Sequence, residues 1–98
     1  MYKDIISYEL AEGVPEAQLI KVAQRIVNEW MKNLPGFVRW EIHTNKDGGY
    51  TDIVHWKSRE DAMLAEKEMA ALPNAGEWFA CYKEGSISSK NLTTVAEF

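Results

Sequence analysis

Apolar and polar positions alternate from Lys3 to Leu10. Ile6, Tyr8 and Leu10 fall on one face, and Ile5, Ser7 and Glu9 on the other. That period of 2 predicts a strand. Ala11-Glu12-Gly13-Val14 reads as a turn, Pro15 suits the first helical position, and Glu16 suits the positive end of a helix dipole. The period then becomes helical. Leu19, Ala23, Ile26, Trp30 and Leu34 recur on one stripe, widened by Ile20, Val22, Val27 and Met31, which predicts an amphipathic helix from Ala17 to Leu34 stopped by Pro35-Gly36.

Alternation returns in Phe37–Thr44 and Tyr50–Lys57, two predicted strands joined by the loop Asn45-Lys46-Asp47-Gly48-Gly49. In a simple hairpin, Val38, Trp40 and Ile42 share a face with Asp52, Val54 and Trp56. The other face carries Phe37, Arg39, Glu41, His43, Ile53 and His55, together with Ile5, Ser7 and Glu9. Ser58 is a good N-cap with Asp61 three residues on, and Ala62, Ala65, Met69 and Leu72 form the buried stripe of a second helix that Pro73 ends. Asn74 is expected to cap a short third helix, Ala75 to about Lys83, carrying Trp78, Phe79 and Tyr82. Glu84 to Ser89 reads as loop, and Leu92–Phe98 as a last strand.

The order strand, helix, strand, strand, helix, strand is that of a ferredoxin-like α+β fold, an antiparallel sheet with its helices on one face. The other sheet face would then be bare and of mixed polarity. A homodimer joined sheet to sheet is the expected way to cover it.

Composition narrows the function classes. The 98 residues are 46% apolar, which predicts one domain, 1–98, with a modest core. The net charge is −4, and Lys32, Arg39, Lys57, Arg59 and Lys83 are scattered, so nucleic acid is not an expected partner. No apolar run approaches membrane-spanning length, and Met1-Tyr2-Lys3-Asp4 lacks the start of a signal peptide. The single cysteine, Cys81, cannot form an internal disulfide, which favours a cytoplasmic setting; Trp78-Phe79-Ala80-Cys81-Tyr82 predicts an inert buried thiol. Gly48-Gly49 lacks the lysine and helix of a phosphate loop, and Ser86, Ser88 and Ser89 lack a nucleophile-elbow pattern.

Two constellations carry candidate chemistry. Trp40, Trp56 and Asp52, with Tyr8, Trp78, Phe79 and Tyr82, are the residues of an aromatic pocket for a small molecule. A carboxylate in such a pocket has its pKa raised and can deprotonate a phenol near neutral pH. The plainer alternative packs Trp40 and Trp56 on Trp30, Leu19 and Met69, with Asp52 meeting solvent near the hairpin end. Arg39, Glu41, His43 and His55 are the second constellation. They lie on the opposite face, with Arg39 near His55 and Glu41 near Ile53. Alternate-strand spacing there suits an ion-paired dimer interface better than a metal site, so no metal or other cofactor is expected.

Leu34-Pro35-Gly36-Phe37-Val38, Asp52-Ile53-Val54-His55-Trp56-Lys57-Ser58-Arg59-Glu60-Asp61-Ala62 and Pro73-Asn74-Ala75 resemble segments of the dimeric α/β-barrel superfamily, and within it the small antibiotic-biosynthesis-monooxygenase-like proteins. The resemblance covers nearly the whole chain. It implies a pocket between sheet and helices, lined by a tryptophan at the place of Trp56 and by a polar residue four positions earlier, where Asp52 stands in place of an expected asparagine. It also implies oxidation of electron-rich aromatic or quinol-like substrates with O₂ and no cofactor. Haem-degrading relatives use a histidine after the third strand. This chain has none after His55. Two functions follow as expectations: a monooxygenase-like enzyme acting on an aromatic or polyketide-like compound with Asp52 as its base, or a non-catalytic ligand-binding or stress-response dimer.

Overall fold

The computed structural model describes residues 1–72 and 75–98. The expected helix stop at Pro73 and cap at Asn74 lie outside the described residues. The elements are β1 (Tyr2–Tyr8), α1 (Glu16–Glu29), a 3₁₀ turn (Met31–Asn33), β2 (Phe37–Thr44), β3 (Tyr50–Trp56), α2 (Arg59–Met69), α3 (Ala75–Phe79) and β4 (Ser88–Thr93). The strands form one antiparallel sheet in the order β2-β3-β1-β4. This is the ferredoxin-like α+β arrangement, with β3 inserted between the two strands that flank α1.

The alternation of β1 and β3 decides which face meets the helices. Tyr2, Ile26, Met31, Val54, Trp56, Ala62, Ala65 and Trp78 form one buried cluster, and Tyr8, Leu19 and Cys81 a second. Both lie between sheet and helices. The small Ala62 and Ala65 let α2 sit close to β3 and β1. Burial also raises the Cys81 thiol pKa, as its apolar setting predicts.

Several boundaries differ from the sequence reading. Pro15 is the N-cap rather than the first helical residue. The helix ends at Glu29, and Trp30 leaves helical geometry before the 3₁₀ turn, so the apolar stripe through Leu34 spans two elements. Phe37 pairs with Trp56 whereas Arg39 pairs with His55, which makes Val38 an extra residue, a bulge. The bulge turns Phe37 onto the helix face, where its ring meets Trp56 edge-on at 5.7 Å. The expected opposite-face position for Phe37 is therefore corrected, while Trp40, Ile42 and the pairings Arg39–His55 and Glu41–Ile53 stand. The third helix stops at Phe79, because Tyr82 instead bridges to Leu10. The last strand is Ser88–Thr93, not Leu92–Phe98. It pairs only with β1, so backbone bonds rather than an apolar face hold it.

Gly36 locks β2 to α2. Its φ is +75°, and a Cβ there would run into the Asp61 carboxylate. Asp61 in turn accepts from Ser58 Oγ at 2.9 Å, and its backbone N–H donates to Ser58 Oγ at 3.2 Å, the expected cap of α2. The Gly36 carbonyl accepts from Lys57 N–H at 2.8 Å.

Candidate functional site

Asp52 is the chemical centre of the helix-facing side. It points from the middle of the sheet and is only 1% exposed. Tyr8 Oη donates to its Oδ1 at 2.7 Å, and Trp40 Nε1 donates to its Oδ2 at 3.1 Å. Burial pushes its pKa up to about 6, against the lowering effect of the Tyr8 and Trp40 bonds. The same burial and the nearby carboxylate raise the Tyr8 and Tyr82 phenols well above their ordinary range. Asp52 does not meet solvent, so the plainer alternative is corrected for this residue.

Asp52 borders a cavity of about 270 Å³ between sheet and helices. Trp30, Trp40, Trp56 and Trp78 all line it, and these are the only tryptophans in the chain. Trp40 and Trp78 stand 5.4 Å apart at 48°, and Trp78 Nε1 donates to Tyr82 Oη. Val54, Ala62, Ala65 and Met69 complete the apolar wall.

Of the residues expected at the pocket, Asp52, Trp40, Trp56, Trp78 and Tyr82 border it directly. Tyr8 packs behind Asp52 and acts on the cavity through that bond. Phe79 does not border it. Its ring stacks on Trp78 from outside at 5.3 Å and is 45% exposed, because the helix turns it away from the sheet.

The cavity also has polar residues that strand patterning does not single out. Asp4, on the helix-facing side of β1, accepts from Trp56 Nε1 at 3.2 Å, and burial raises its pKa. Asn91 of β4 lies beside it. In the amide orientation that satisfies both of its ends, Asn91 donates to Asp4 Oδ1 at 2.9 Å and accepts from Tyr2 Oη at 3.0 Å. Ser89 and Glu66 reach the rim. Asp4 follows Lys3 at the start of the strand. The face alternation Tyr2, Asp4, Ile6, Tyr8 was the one available signal.

The second constellation forms on the other face. Glu41 accepts from Arg39 Nε at 2.9 Å and lies 3.1 Å from His43 Nε2. His43 and then Arg39 hold the Glu41 carboxyl at about 2. His55 is 6% exposed, with its Nε2 3.4 Å from Glu41 Oε1 and out of line for a hydrogen bond. Among the described residues, no three His, Cys, Asp or Glu side chains converge as a metal site.

No protein-family model matches the sequence, and no curated protein matches it. Solved structures do. A monooxygenase of Streptomyces coelicolor, ActVA-Orf6, in complex with nanaomycin D, is 16% identical over 99% of this chain and 89% of its own, with a TM-score of 0.74. The fold is that of antibiotic-biosynthesis-monooxygenase-like proteins. SnoaB, a cofactor-independent oxygenase of Streptomyces nogalater, is 20% identical over 98% of this chain and 95% of its own, at a TM-score of 0.72. The heme-degrader MhuD of Mycobacterium tuberculosis, with two hemes bound in its active site, is 19% identical over 100% of this chain and 99% of its own, at 0.70. These likenesses extend the ferredoxin-like assignment across essentially the whole chain.

Proposed function

We propose that this protein is a cofactor-independent oxygenase for an electron-rich phenolic or quinol-like aromatic of polyketide type, with Asp52 as its base. The observation that carries the reading is a buried carboxylate, hydrogen-bonded on both oxygens, at the wall of an aromatic cavity. Two bonds leave Asp52 with acceptor capacity for a substrate hydroxyl. The open cavity favours this reading over a dimer whose pocket is packed shut. Comparison with a monooxygenase holding nanaomycin D and with a cofactor-independent oxygenase supports it.

The chemistry balances without an added reductant. Asp52 takes the phenolic proton, and the resulting anion gives electrons to O₂. At a ring CH₂ carbon the net change is CH₂ + O₂ → C=O + H₂O, with all four electrons coming from the substrate. A free phenol titrates near 10, so transfer to an ordinary carboxylate is steeply uphill. Raising Asp52 from 3.8 to about 6 removes roughly 3 kcal/mol of that climb, on the order of a hundredfold in the proton-transfer equilibrium, of which a part lowers the barrier. Tyr8 and Trp40 hold the two oxygens in place, and the indole walls orient the ring.

Haem, which the MhuD structure holds, does not suit this donor set. His43 and His55 lie on the far side of the sheet, and among the described lining residues there is no histidine or cysteine. No step is assigned to such a group. The proposal includes a homodimer formed through that far face, which keeps the cavities separate from the interface.

The test is O₂ uptake, with the keto product and the absence of H₂O₂ checked, for a panel of anthrone-like phenols that carry a ring CH₂. Activity is expected to rise through about pH 6 as Asp52 ionises, then level off. Asp52→Asn is expected to lose on the order of a hundredfold or more in turnover while still binding the substrate. Full turnover in that variant would sink the base assignment.

A further inference from the structure

The cavity is one-sided in charge. Asp52 lies at its inner wall, and Asp4 and Glu66 also border it. Among the described residues lining it, none is lysine, arginine or histidine. Its remaining wall is dominated by the four indoles and the Tyr82 ring. An anion entering this space meets carboxylates and the negative faces of aromatic rings, with no counter-charge. A cation meets both as partners.

The acids are also arranged in depth. Asp4 pairs with Val54 across the β1–β3 ladder, and Asp52 is two residues along β3 on the same face. Such diagonal neighbours stand about 7–8 Å apart. Asp52 is held on both oxygens by Tyr8 and Trp40 and is almost fully buried, whereas Asp4 is less buried, shares the cavity lining with the exposed Glu66 of α2, and pairs through β1 with exposed β4. Asp4 is held in place by Trp56 Nε1 and Asn91 and keeps acceptor capacity toward the cavity. Its pKa is raised first by burial and also by the charge of Glu66. Two carboxylates that border one cavity and repel each other are relieved by a cation bound beside them, and a neutral hydroxyl does not do this.

We infer that Asp4, assisted by Glu66, is a specificity-determining residue that selects a phenol carrying a protonated amine, seated with its hydroxyl toward Asp52 and its ammonium toward Asp4. This rests on the reading of the cavity as a phenol site with Asp52 at its inner end. Asp4 positions the substrate and takes no part in the proton transfer. On the substrate's phenolic ring, the spacing suits an amine carried on an arm of about two carbons. The volume, about 270 Å³, lies at the small end for ligand sites and agrees with a compact molecule.

The test is calorimetric titration of the whole protein near pH 7.5 with three probes of like shape: tyramine, 4-ethylphenol and 3-(4-hydroxyphenyl)propionate. Tyramine is expected to bind about tenfold tighter than the neutral phenol, and the acid at least about tenfold weaker. The preference for the amine should shrink as salt is added. Asp4→Asn should bring tyramine within about threefold of 4-ethylphenol. Glu66→Gln, on the exposed face of α2, should narrow the gap without touching the β1 network. Equal binding of amine and neutral phenol by the unmodified protein overturns the inference, as does an unchanged gap in both variants. Amine-selective binding with no O₂ uptake for any phenol supports the charge selection and overturns the oxygenase reading. No binding of any probe overturns the inference, while O₂ uptake with the anthrone-like panel decides the oxygenase reading separately.

Discussion

Asp52 is expensive to keep ionised where it stands, and that cost is visible as a dependence of stability on pH. Its folded pKa of about 6 lies above the ordinary 3.8 expected when unfolded. Between those values the folded chain holds the extra proton, so this residue makes stability fall as pH rises from about 4 through about 6. The effect is on the order of 2–3 kcal/mol. Asp52→Asn is therefore expected to be relatively more stable at pH 7 than at pH 4 when urea midpoints of both proteins are compared. A constant difference across that range would mean the carboxyl titrates normally. At this scale the site was half legible. Trp40, Asp52 and Trp56 share a face by strand period alone. Asp4 was masked by its neighbour Lys3 at the strand's start and Asn91 by the polar run Ser88-Ser89-Lys90-Asn91, and the pairing of β1 with both β3 and β4 brings the two together at the cavity.

At the level of elements, the alternation of β1, β2 and β3 and the stripe of α1 carried most of the fold. What escaped was local. The bulge at Val38 has no signature in an apolar-polar string, yet it decides that Phe37 packs on Trp56. The edge strand β4 is exposed along its length, so periodicity could not place it. The apolar Leu92–Phe98 stretch drew the strand too far along the chain. The Gly36–Asp61 contact couples two segments that sequence shows only as separate motifs. Gly36→Ala must accept a left-handed φ and displace the carboxylate that Ser58 Oγ bonds, so a loss of roughly 2–3 kcal/mol is expected in urea unfolding. Gly13→Ala has a similar φ but open space around it, and about 1 kcal/mol is expected there. Equal losses would show that strain alone, and not the close approach of β2 to α2, governs Gly36.

For the whole molecule, the helix-free face of the sheet governs assembly. Ile5 and Ile53 pair at its centre, Leu92 is exposed beside them, and His55 is buried near Glu41. An apolar centre with a charged border suits a second copy of the same face, related by a two-fold axis. Light scattering behind size exclusion is expected to give a dimer, and Ile53→Lys a monomer with its cavity intact. A monomeric unmodified protein would overturn that part of the proposal. Among the described residues, no helix is long and apolar enough to cross a membrane. The four indoles carry one more consequence. Since every tryptophan of the chain borders the same cavity, the protein has no bystander indole. Its whole indole fluorescence, excited at the red edge where tyrosine does not absorb, is a signal from the site, and a molecule entering there changes all of that light rather than a fraction of it.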